Sequence, residues 1–114
     1  MEMEIYLELT QEQWTEVLDK ASKNDAAMFI LRCWANSQSV SSGAVNAFKK
    51  NVVTSDEDRR NASTVIGNIT TWVHQVTGST DGVCYTWNKI EGTWNIDYFQ
   101  TANLREAMGV PADF

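Results

Sequence analysis

The chain has 114 residues, 43% hydrophobic and 21% charged, which suits one domain spanning 1–114 and excludes a disordered chain. Fifteen acids against nine Lys and Arg leave a net charge of −6, which disfavours direct nucleic-acid binding through a basic surface. No stretch approaches the ~20 apolar residues of a membrane span, and the acidic start MEMEIYLEL is unlike a secretory signal. The expected location is therefore the cytoplasm, with Cys33 and Cys84 as free thiols.

Residues 3–9 alternate, with Met3, Ile5, Leu7 and Leu9 on one side and Glu4, Tyr6 and Glu8 on the other. This period of two predicts a strand with one buried face. Thr10 and Gln13 form a capping-box pattern, and Leu9 with Trp14 stand at the positions of a hydrophobic staple. Trp14, Val17, Leu18 and Ala21 follow at helical spacing, so a helix starts at Thr10.

Asn24-Asp25 can end that helix and cap another across 26–35, AAMFILRCWA. The segment is apolar nearly all round, so periodicity fits either a buried helix or a buried strand; the Ala-rich start and the cap favour helix. Residues 37–43, SQSVSSG, have the composition of a loop, and a short amphipathic helix carrying Ala44, Val45 and Phe48 is expected after it.

Ser55 with Asp56, Glu57 and Asp58 marks a helix start, because acids in the first turn complement the helix dipole. Ala62, Val65, Ile66, Ile69, Trp72, Val73 and Val76 then make one apolar stripe that Gly78 ends. Two strands, 83–88 and 93–99, are expected to form a hairpin around a loop of Lys89, Ile90, Glu91 and Gly92, with Gly92 supplying a positive φ. That register pairs Trp87 with Trp94, Tyr85 with Ile96 and Val83 with Tyr98 on a buried face. Thr101 is the expected cap of a last short helix through Leu104 and Met108, stopped by Gly109. The predicted fold is α+β, with an N-terminal strand and a C-terminal hairpin in one three-stranded antiparallel sheet packed with four to five helices.

Few chemistries fit the inventory. A single histidine and two distant cysteines cannot make a four-ligand zinc site, and the glycines form no phosphate-binding loop. The expectation is a domain that folds without metal or cofactor. The sequons at Asn61 and Asn68 fall in a predicted helix and read as chance matches. A small enzyme would have to draw on Cys84, His74 or Asp97; His74 lies off the apolar stripe and is expected to be solvated. Cys84 and Asp97 would oppose each other on the second, half-exposed face of the sheet, with Thr86, Asn95 and Phe99.

Charge is the one uneven feature. Residues 1–25 hold seven acids against Lys20 and Lys23, a balance of −5, while the rest of the chain balances at −1. Glu4 and Glu8 share the outward strand face with Tyr6, and Glu12, Glu16 and Asp19 run along one side of the first helix. Such a surface suits a non-catalytic binding or inhibitor protein whose partner is a basic, nucleic-acid-handling protein, with Glu4, Tyr6, Glu8, Glu12, Glu16 and Asp19 as the binding residues. In being small, acidic and free of motifs the chain resembles phage-encoded anti-defence proteins, including anti-CRISPR proteins. A toxin-neutralising immunity protein is the nearest alternative, and an accessory subunit docking through the Trp-rich hairpin is another. A monomer or weak homodimer is expected.

Overall fold

In the computed structural model, which describes residues 6–52 and 62–109, Thr10 caps α1 (Gln11–Ala21) as its sequence predicts. The Thr10 hydroxyl accepts from the Gln13 backbone N–H at 3.2 Å, and the Gln13 side chain accepts from the Thr10 N–H at 2.9 Å. Leu9 and Trp14, the staple pair, are both buried. Asn24 then caps α2 (Asp25–Ser37), settling 26–35 as helix. The side chains of Ala26, Ala27, Ile30, Leu31, Trp34 and Ala35 make its buried stripe.

The segment expected to be a loop holds β1 (Ser39–Ser41). Its composition is loop-like, but one residue, Val40, alternates with serines and points into the core at 3% exposure. The short amphipathic helix follows as α3 (Ser42–Val52), and Phe48 stacks on Phe29 of α2 with ring centroids 4.6 Å apart. The expected helix start at Ser55 and Asp56–Asp58 lies outside the described residues. Helix α4 is Ala62–Thr77, buries Val65, Ile66, Ile69 and Val73, and gives way to Gly78 at φ 78°.

The hairpin is shorter than its sequence suggests: β2 is Thr86–Asn88 and β3 is Thr93–Asn95. Both strands read Thr-Trp-Asn, and antiparallel pairing matches Thr86 with Asn95, Trp87 with Trp94 and Asn88 with Thr93. Gly92, at φ 68°, closes the predicted four-residue loop, and its N–H donates to the Asn88 carbonyl at 2.7 Å. Neither Tyr85–Ile96 nor Val83–Tyr98 pairs, because the chain leaves the ladder after Asn95. The Ile96 N–H turns instead to the Gln38 carbonyl, and Asp97 caps α5 (Tyr98–Met108) three residues before Gln100. The last helix therefore starts ahead of Thr101, and Phe99 belongs to it rather than to a strand. Gly109, at φ 75°, ends it as expected.

The sheet order is β1-β3-β2, all antiparallel. Its third strand is β1, not the N-terminal segment; Tyr6 makes a single parallel bridge to Val83, and residues 1–5 lie outside the description. Helix α5 supplies the physical reason. The Gln100 amide donates to the Leu7 carbonyl at 2.7 Å and accepts from the Leu9 N–H at 3.1 Å, and Asn103 donates to the Leu9 carbonyl at 3.0 Å. Side-chain amides thus satisfy backbone groups that a strand ladder would otherwise take.

The sheet's core face carries Val40, Trp94 and Trp87 in a row across the three strands. Trp94 sits on the central strand at 7% exposure, while Trp87 on edge strand β2 is 47% exposed, so the expected burial holds for one member of the pair only. The other face presents Ser39, Ser41, Thr86, Asn88, Thr93 and Asn95, all hydroxyl or amide side chains.

Candidate functional site

Helix α1 turns Trp14, Val17 and Ala21 inward, which at ~100° per residue places Glu12, Glu16 and Asp19 on its opposite side. All three are exposed, as is Glu8 just ahead of the helix cap. Among the described residues, no Lys or Arg nitrogen lies within 4 Å of these four carboxylates. Lys20 follows Glu16 by one turn without closing an ion pair. Glu4 lies outside the described residues.

Tyr6 and Glu8 belong to a different feature. They line an open pocket of about 310 Å3 with Cys84, Tyr85, Thr86, Asn95, Asp97 and Gln100. Strands β2 and β3 contribute Thr86 and Asn95, which are direct cross-strand partners on the polar sheet face. The start of α5 contributes Asp97 and Gln100. The Asp97 Oδ1 accepts from the Gln100 N–H at 2.8 Å, an N-cap bond that leaves Oδ2 without a partner among the described residues. Gln100 is committed, because its Oε1 also accepts from the Trp14 indole at 3.2 Å. Tyr85 is held by a hydroxyl contact to Thr70 at 3.2 Å and stacks on Trp34 at 6.1 Å. Among the described residues, the lining holds two carboxylates, two tyrosines and several hydroxyl or amide groups, and no basic residue.

The three residues on which an enzyme would draw stand in different surroundings. Cys84 is 5% exposed, and burial pushes its thiol up to about 12, so at neutral pH it stays protonated and a poor nucleophile. Burial also raises Cys33, which is half-buried. His74 is half-buried rather than fully solvated, and its Nε2 lies 2.7 Å from the Gly82 carbonyl. A carbonyl only accepts, so Nε2 carries the proton in this contact. Asp97 does share the pocket lining with Cys84, but as a helix cap and an exposed carboxylate. Among the described residues, no group of three or more His, Cys, Asp or Glu is placed to hold a metal, and no helix is long and apolar enough to cross a membrane.

Exposed aromatic residues complete the surface. Tyr98 and Phe99, at the first turn of α5 beside Asp97, are 67% and 77% exposed and meet edge to face at 5.9 Å. Ile90, at the hairpin tip, is 92% exposed. The sequence marked Tyr6 and Glu8 by their strand alternation, yet the pocket that joins them to Asp97 depends on contacts across some ninety positions, for which no local signal exists. No protein-family model matches the chain, and no curated protein or solved structure matches it.

Proposed function

We propose that this protein is a non-catalytic binding protein that uses an acidic surface against a basic protein partner. The observation that carries the reading is the row of Glu12, Glu16 and Asp19, exposed on the side of α1 away from the core and unpaired with any described cation. Solubility does not require such a concentration, because the same net charge spread over the surface would serve equally well. A row of carboxylates attracts Lys and Arg side chains of the kind that contact phosphates, raising the encounter rate and fixing orientation. Inhibition of a nucleic-acid-handling protein, as an anti-defence or anti-CRISPR protein would perform it, is the form of this reading that best fits a basic partner. Neutralisation of a toxin uses the same chemistry. The raised thiol of Cys84 and the carbonyl contact of His74 weigh against the enzyme alternative.

The test is affinity capture from a host lysate with the wild-type protein and with the variant Glu12→Lys/Glu16→Lys/Asp19→Lys, each at low and high salt. The reading expects basic proteins retained by the wild type at low salt, released at high salt and lost from the variant. Equal retention by wild type and a folded variant would remove it.

A second reading rests on Trp87 and Ile90, the exposed apolar residues of the edge hairpin. Docking through this hairpin, onto a second copy or another chain, predicts a concentration-dependent mass that Trp87→Ala with Ile90→Ser abolishes.

A further inference from the structure

The pocket beside the acidic helix has a chemistry of its own. Two of its lining residues, Glu8 and Asp97, come from segments far apart in sequence, and both are exposed carboxylates. Glu8 makes no hydrogen bond or ion pair with any described residue, and Asp97 uses Oδ1 for its cap while Oδ2 has no partner among the described residues. Tyr6 and Tyr85 stand in the same lining, and Thr86 and Asn95 close it from the polar sheet face. Among the described residues, no cation lines the pocket. Its volume of about 310 Å3 lies at the bottom of the range that small-molecule sites occupy, which fits one long side chain better than a bulky ligand.

Carboxylates with no counter-ion among the described residues, the exposed Tyr6 ring and neutral hydrogen-bonding groups around one small opening suit a guanidinium, while the Tyr85 ring is already packed on Trp34. Arginine presents five N–H donors in a planar fork, accepts carboxylates on its edges and stacks its face on aromatic rings. The lysine ammonium is more strongly hydrated and lacks the planar face, so it matches this lining less well. We infer that the pocket formed by Tyr6, Glu8, Tyr85, Thr86, Asn95 and Asp97 receives an arginine side chain of the partner protein. The inference rests on the proposed reading of a basic partner and deepens it: α1 attracts positive charge over a distance, and the pocket seats one arginine in a fixed register. Asp97 suits both duties, since one oxygen holds the α5 cap and the other has no partner among the described residues.

The probe is blocked arginine, Nα-acetyl-arginine methylamide, titrated into the 15N-labelled protein and followed by backbone amide shifts. The neutral citrulline analogue and the blocked lysine analogue are titrated alongside. Saturable shifts are expected at Tyr6, Glu8, Thr86, Asn95 and Asp97, with weaker binding of the lysine analogue and none of the citrulline analogue. Glu8→Gln and Asp97→Asn should each weaken arginine binding by about tenfold or more, the scale of one charge-assisted hydrogen bond. Asparagine keeps the cap acceptor of α5, and Glu8 has no described partner to lose, so both variants retain the fold; unchanged thermal midpoints check this. Equal shifts from the citrulline analogue, preference for lysine, or undiminished binding by both variants would overturn the arginine site. The Glu12→Lys/Glu16→Lys/Asp19→Lys variant should still bind the probe. If the probe fails while that variant loses lysate capture, the pocket inference falls and the acidic-surface reading stands. If the probe binds as expected while capture is unaffected, the reverse holds.

Discussion

Gln100 is buried at 3% exposure, and its amide ties three distant points together: Leu7, Leu9 and the indole of Trp14. Replacing it with Met keeps the volume but strands those groups, so Gln100→Met should lower unfolding stability by roughly 2–4 kcal/mol. Urea melts check this, and an unchanged midpoint would mean that water or rearrangement satisfies them. No pattern in the sequence marks this residue, because its partners lie 91, 86 and 93 positions away. Capping residues, by contrast, were legible at Thr10 and Asn24, since their acceptors and donors sit three positions apart. Cys84 carries a pH signature. Its thiol is pushed from 9.0 to about 12 by burial, so the unfolded chain releases that proton first as pH rises. The contribution to stability is full below pH 9 and is lost between pH 9 and about 12. Wild type should therefore lose more stability than Cys84→Ala between neutral pH and pH ~10.5, the upper end near where lysines also titrate in both proteins. Equal losses in the two melts would contradict the buried thiol.

At the scale of elements, the hairpin separates pairing from burial. Trp87 and Trp94 are cross-strand partners with ring centroids 4.7 Å apart, yet the strand order puts Trp94 at the centre and Trp87 at the edge. Trp94→Ala should cost about 3–5 kcal/mol, the range for emptying an aromatic core position, and Trp87→Ala markedly less. Comparable losses in denaturant melts would show that both rings are core residues. The turn, the register at these two tryptophans and the stripe of α4 were legible because each is written in local spacing. Strand β1 was not, since Ser39 and Ser41 carry no strand preference and Val40 gains its burial only beside Trp94. The N-terminal alternation gave the faces but not the sheet partner: Leu9 is buried and Tyr6 and Glu8 are exposed as expected, yet beside the Leu7 bond to the Val83 carbonyl it is the amides of Gln100 and Asn103 that meet the backbone of Leu7 and Leu9.

Over the described molecule, the apolar interior and the carboxylates of α1 lie on opposite sides of that helix. The interior is continuous from Leu9 and α1 through α2 to Trp94 and Leu104, while the outward side of α1 presents carboxylates and the start of α5 presents Tyr98 and Phe99. The uneven charge was legible in the sequence and carries the functional reading; the pocket was not, because Glu8, Cys84 and Asp97 meet only after folding. Long-range attraction by exposed charge acts mainly on the rate of encounter, and screening shortens its reach from ~30 Å at 0.01 M salt to ~8 Å at 0.15 M. The most direct measurement is therefore the association rate of the captured partner against ionic strength, for wild type and for Glu12→Lys/Glu16→Lys/Asp19→Lys. The acidic-surface reading predicts a wild-type rate that falls steeply with salt, a slower and nearly salt-independent rate for the variant, and dissociation rates that differ little. Association by the folded variant at the wild-type rate across the whole salt range would contradict it.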